Sequence, residues 1–90
     1  MRIIKLDGRK MDTRQAAWAH MKDALGLPEY FGNNLDALSD NLGEMRDVII
    51  QFSYVNAALN ALGSYGAGIL QVLRDQADSR ADFVLKTSAN

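Results

Sequence analysis

Val48-Ile49-Ile50-Gln51-Phe52 constrains the fold more than any other stretch. Four of its five residues are β-branched or aromatic, and only Gln51 interrupts the apolar run. A run of this type and length reads as a strand buried on both faces, as in a parallel sheet with helical crossovers. Two weaker runs flank it at a distance. Ile3, Ile4 and Leu6 end at the turn dipeptide Asp7-Gly8, and Phe83-Val84-Leu85 lies near the end of the chain. The expected strands are therefore about 2–6, 48–52 and 82–86.

The intervening segments carry helical spacing. Asp12 or Thr13 caps the first helix, whose face holds Ala17, Met21, Ala24 and Leu25 with Trp18 beside them as a packing residue, and Gly26 ends it. Asn34 is a good N-cap for a second helix with Leu35, Leu38 and Leu42 in one stripe, and Gly43 closes that helix or its turn. Ser53 can cap a third helix bearing Val55, Ala58, Leu59 and Leu62. Gly63, Gly66 and Gly68 then punctuate a connection, and a fourth helix runs from about Ala67 to Ala77 with Ile69, Val72 and Leu73 turned inward. The last residues, from Thr87, are expected to fray. Strands separated by helices imply an α/β fold: a three-stranded parallel sheet with four helices and right-handed crossovers. Ninety residues suit one domain, and 48% hydrophobic with 23% charged residues is a folded rather than a disordered composition.

Several chemistries find no residues to carry them. There is no cysteine, hence no disulfide or thiolate. The lone histidine, His20, falls off the apolar face of its helix, has no histidine partner for a metal and reads as solvent-exposed. Gly63-x-x-Gly66-x-Gly68 lacks the preceding strand and following lysine of a phosphate loop. No apolar run reaches membrane-spanning length, and the first residues do not form a signal peptide, so a cytoplasmic location without membrane contact is expected. No cofactor is implied.

The net charge of −1 conceals an asymmetry. Residues 1–27 balance to +3 and residues 48–90 to zero, whereas residues 28–47 balance to −4 through Glu29, Asp36, Asp40, Glu44 and Asp47 against Arg46. Asp36, Asp40 and Glu44 are spaced four apart, so they form one row on the second helix. Each such like-charge pair opposes the helix by roughly 0.2–0.5 kcal/mol. Asp40, mid-helix between two like charges, is the residue for which the scaffold offers least reason. A solvated helix face would account for the row; so would attraction of a basic partner. Phosphate contacts need Lys and Arg, so this surface is not built for nucleic acid. A carboxylate pair alone, without a nucleophile or oxyanion donor, does not make a hydrolytic site.

The same region carries a family resemblance. Pro28-Glu29-Tyr30-Phe31-Gly32, then Asn34-Leu35-Asp36-Ala37-Leu38, then Asp40, resembles the signature of barstar, the intracellular inhibitor of a small secreted microbial ribonuclease. Ile69-Leu70-Gln71-Val72-Leu73-Arg74-Asp75 resembles the helix near the barstar C-terminus, and Lys5-Leu6-Asp7-Gly8 and the length fit as well. The resemblance implies a barstar-like fold and a barnase-like ribonuclease as partner, bound one to one by a protein that is otherwise monomeric. It also assigns roles. Asp40 matches the carboxylate that enters the nuclease active site, Asp36 the one that pairs with an arginine, and Tyr30 the tyrosine that packs over the catalytic histidine. Phe31, Gly32, Asn34 and Leu35 match further contacts, and Asp75 matches a distal acidic contact that is usually Glu. Read without the resemblance, Gly32 and Asn34 are equally explained by turn and cap chemistry, Leu35 by packing, and Tyr30 and Phe31 by closure of the core.

Two positions and the overall charge depart from the family pattern. Ser39 stands where a tryptophan is common, Asn33 where glutamate is common, and the whole chain is much less acidic than the type inhibitor. The first removes a large anchor and the second a rim charge, so both bear on which nuclease is bound. The resulting expectation is a ribonuclease inhibitor, not an enzyme, that occludes an active site. The alternative is a protein–protein interaction module of the same fold whose partner is not a nuclease.

Overall fold

The computed structural model describes residues 1–90. Strand β1 spans Arg2–Asp7, followed by a single 3-10 turn at Gly8–Lys10. Helices α1 (Arg14–Leu25) and α2 (Leu35–Glu44) lead to β2 (Val48–Ser53). Helices α3 (Val55–Leu62) and α4 (Ser64–Ser79) lead to β3 (Phe83–Thr87). The strands pair in parallel in the order β1-β2-β3, with Ile4 opposite Ile50 and Ile50 opposite Leu85. The expected three-stranded parallel sheet with four helices is what the chain forms.

The sheet is covered on one face only. Along β2, Val48, Ile50 and Phe52 are buried, while Ile49, Gln51 and Ser53 are half-buried. This corrects the expectation of a strand buried on both faces. Both crossovers step in the same direction across the sheet, and crossovers of one hand then lie on the same side. The core sits between that side and the helices, and comprises Ile4, Leu6, Trp18, Met21, Leu38, Leu42, Ile69, Leu70, Leu73 and Phe83 among others. Gln51 and Ser53, the polar residues of the strand, belong to the uncovered side.

Other boundaries also move. Thr13 caps α1, its side chain accepting the Ala16 N–H, and Gly26 ends the helix with φ 67°. Ser53 does not cap α3. Its hydroxyl donates to the Leu6 carbonyl, and Tyr54 enters the helix from a left-handed conformation without a side-chain cap. Gly43 does not end α2, which continues to Glu44. Helix α4 starts at Ser64 rather than Ala67, so Gly66 and Gly68 lie inside it and only Gly63 punctuates. Their role is close packing. A Cβ on Gly66 would stand 3.0 Å from the Ala58 carbonyl oxygen, and one on Gly68 3.0 Å from Leu35 Cδ1. Past β3 the chain stays attached through Ser88, whose N–H donates to Phe52 and whose carbonyl accepts from Val55.

His20 is half-buried rather than solvent-exposed. Its Nε2 accepts the Asp7 N–H at 2.9 Å, satisfying the last donor of β1. Burial is the main influence holding its pKa below the ordinary 6.5, with Lys10 adding to it and Asp7 and Asp23 opposing. A protonated imidazole has no lone pair for this bond. The stability it contributes is therefore present above pH 6.5 and is lost as pH falls through the lowered value. Thermal melts of the wild type and His20→Gln between pH 7.5 and 4.5 should differ in slope across that window. Parallel curves would mean that the imidazole contributes nothing pH-dependent.

Candidate functional site: an acidic helix beside an aromatic loop

The loop of residues 27–34 is held by one side chain pointing in while its neighbour points out. Phe31 is buried against Trp18 with ring centroids 5.5 Å apart, and its N–H closes a turn onto the Pro28 carbonyl at 3.0 Å. Trp18 is fixed in turn, its Nε1 donating to the Tyr65 hydroxyl at 2.8 Å. Tyr30, next to Phe31, is left 89% exposed. No packing requirement explains so open an aromatic ring.

Asn34 joins loop to helix. Its Oδ1 accepts the Ala37 N–H at 2.8 Å and its Nδ2 donates to the Gly32 carbonyl at 3.1 Å. One side chain therefore caps α2 and sets the loop beside it. Asp36 lies in the first turn of α2, where the helix dipole favours an anion. Asp40 follows in the middle and Glu44 in the last turn, where the dipole opposes it and the helix itself holds no basic residue. All three are exposed, and the ion pairs of the protein lie elsewhere, at Arg9–Asp7 and Arg80–Asp82. No cation of the protein forms an ion pair with the acidic row.

Between loop and helix is a recess of about 330 Å³, with Asp40, Asn41 and Glu44 on the helix side and Pro28, Tyr30, Phe31 and Gly32 on the loop side. The structure therefore brings Tyr30, Gly32 and Asp40 together, with Phe31 anchoring from beneath. Asp36 stands outside the recess, one turn earlier. Leu35 is half-buried against Gly68, and Ser39 is half-buried with its carbonyl accepting from Gln76 at 3.4 Å, so both face the α4 seam. Asp75 lies on α4, exposed, its Oδ1 held by Gln71 Nε2 at 2.8 Å.

Sequence reasoning missed two contributors. Asn41 lines the recess and ties itself to the Ala37 carbonyl at 2.9 Å. Arg80 holds the far end of α2: Nη1 donates to Leu42 O at 2.9 Å and to Gln76 Oε1 at 2.9 Å, and Nη2 donates to Met45 O. Its remaining contact is with Asp82, at 3.0 Å through Nε. That guanidinium is the chief reason the Asp82 carboxyl lies below the usual carboxylate range. A cation at the C-terminal carbonyls of α2 offsets the dipole that Glu44 leaves uncompensated. Spacing does not announce the Arg80 contacts to α2, which span 35 and 38 residues.

Charge at Asp40 should cost the scaffold. Asp40→Asn keeps size and removes two like-charge pairs, so the free protein should gain roughly 0.3–1 kcal/mol in urea melts. A clear loss of stability would show that Asp40 serves the scaffold.

Comparison with known proteins agrees with the motif. The family model described as Barstar (barnase inhibitor) matches residues 1–87. A protein of Bacillus subtilis (strain 168) named "Putative ribonuclease inhibitor YrdF" is 34% identical over 87 residues, which cover 91% of this chain and 92% of that protein.

Proposed function

This chain belongs to the barstar family, and from that premise we propose that it inhibits a small, secreted, barnase-like ribonuclease, binding it one to one in the cytoplasm before export. The family is one of inhibitors rather than enzymes. The observation that carries the reading is the unneutralised row Asp36, Asp40 and Glu44 on a helix clamped at both ends, beside the exposed ring of Tyr30. A ribonuclease active site is a basic cleft shaped for a phosphodiester. A carboxylate on a rigid helix takes the phosphate position there and accepts charge-assisted hydrogen bonds from Arg, Lys and imidazolium groups. Asp40 fills that role and Asp36 pairs with a peripheral arginine. Tyr30 stacks on the catalytic histidine, flanked by Gly32, Asn34 and Leu35. Asp75, exposed on α4, and Ser39 complete the contacts in this reading. Clamping by Asn34 and Arg80 lowers the ordering cost of association, and the −4 balance of residues 28–47 draws the basic partner in.

One observation favours the second reading, a partner of another kind: the half-buried Ser39 leaves no large anchor where the family has tryptophan. Titrating a barnase-like ribonuclease with this protein in an RNA-cleavage assay separates the two. Inhibition should be complete at one equivalent. Undiminished cleavage, with no heat of binding in calorimetry, would reject the nuclease reading.

A further inference from the structure

We propose that the uncovered side of the sheet carries a second binding site, separate from the loop and α2, for a small phosphate-bearing ligand. Lys5 is paired with Gln51 and Gln51 with Lys86, so these three form one row across the sheet. Strand residues alternate sides, and this row lies opposite the core side. Neighbouring strands are about 4.8 Å apart, so the two lysine backbones flank Gln51 at a total span of ~10 Å. Two flexible ammonium groups at that span close readily onto one anion.

The row opens into a recess of about 390 Å³ at the carboxyl ends of the strands, lined also by Ser53, Thr87 and Ser88, with Phe52 the one apolar wall. The lining contains no carboxylate. Asp7, the next residue of β1 on that side, is already neutralised by Arg9, which it binds through both oxygens at 2.8–3.3 Å. Ser53 and Ser88 have internal partners for their hydroxyls, whereas neither lysine takes part in an ion pair. The base of the recess is pre-formed, because Ser88 exchanges main-chain hydrogen bonds with Phe52 and Val55 at 3.0 and 3.1 Å.

Lysines on edge strands also discourage strand addition. That role requires neither a glutamine between them nor a concave floor of hydroxyl groups. Two ammonium groups together with the Gln51 amide and the Thr87 hydroxyl suit a tetrahedral oxyanion with several acceptors. The volume exceeds that of free phosphate and sits at the lower end of small-ligand sites. With a single apolar wall, a phosphate carried on a polar body such as a sugar fits better than one on a lipid tail.

The test is an NMR titration of the intact protein with inorganic phosphate, ribose 5-phosphate and, at matched ionic strength, sodium chloride. Both phosphates should move the amides of residues 51–53 and 86–88 saturably, ribose 5-phosphate at lower concentration, and chloride should not. Lys5→Gln/Lys86→Gln should weaken the binding at least tenfold. Lys86→Gln alone, at an exposed position, should give an intermediate loss if the double variant fails to fold. Unsaturable shifts spread over the basic residues of 1–27 would show charge screening only and overturn the proposal. So would unchanged affinity in either variant, or movement of these amides by polyglutamate but not by phosphate.

Discussion

Asp40→Ala should weaken the complex with a barnase-like ribonuclease by ~2 kcal/mol or more, the general threshold for an interfacial hot spot, of which the barnase–barstar pair is itself a standard example. The cause is twofold. The complex loses a charge-assisted acceptor, and the cationic groups of the nuclease stay desolvated with nothing to neutralise them. The scaffold should not suffer, since Asp40 is exposed and has no ion-pair partner. Asp75→Ala should cost less, because Asp75 stands outside the recess and is occupied by Gln71. Calorimetric titration of both variants, with melts to establish folding, decides the matter. Equal losses at the two positions would refute a binding mode centred on Asp40, and so would an undiminished affinity after Asp40 is removed.

Arg80→Ala should be the most damaging single change to the fold among the residues around the site. Its side chain is 17% exposed and serves the Leu42 and Met45 carbonyls at the end of α2 together with Gln76 on α4. Removing it strands main-chain acceptors and uncovers Phe83, over whose ring the guanidinium sits at 5.4 Å. A loss of about 2–4 kcal/mol follows from hydrogen bonds of this charged type. For a domain of this size that corresponds to a fall in Tm on the order of 10–20 °C. Arg80→Lys should recover only part of it, since an ammonium cannot reproduce the guanidinium fork. A melt within 2 °C of the wild type for Arg80→Ala would mean that water replaces the guanidinium without cost.

The contrast between these residues shows what was legible in the sequence. Asp40 could be singled out because its reasons are local: spacing, helix position and two like charges within one turn each. Thr13, Asn34 and Gly26 were legible on the same terms, as caps, and the β2 run as a strand. Arg80 was not, because the Leu42 and Met45 carbonyls that it holds lie 38 and 35 residues away and no local rule connects them. His20 was misjudged for a related cause: a position off the apolar stripe of α1 still meets β1, and only the packing of helix on sheet reveals it. Gly66 and Gly68 look like breaks, the ordinary meaning of glycine in a chain. Inside α4 they let helices approach closely, a meaning that exists only once the neighbours Ala58 and Leu35 are in place. The one-sided sheet was hidden too, because an apolar run cannot say how many faces will be covered.

Parallel pairing sets the order of events when this chain folds. Residue 2 must find residue 48, and residue 48 must find residue 83, before either ladder has a single bond. Each closure spends chain entropy well ahead of its return in burial. Helices α3 and α4, neighbours in sequence and packed together, carry no such delay. The recess beside Tyr30 rests on Phe31, Trp18 and Tyr65, which come from α1, the loop and α4. Refolding kinetics should therefore show the recess beside Tyr30 forming with the sheet, after most of the helical signal.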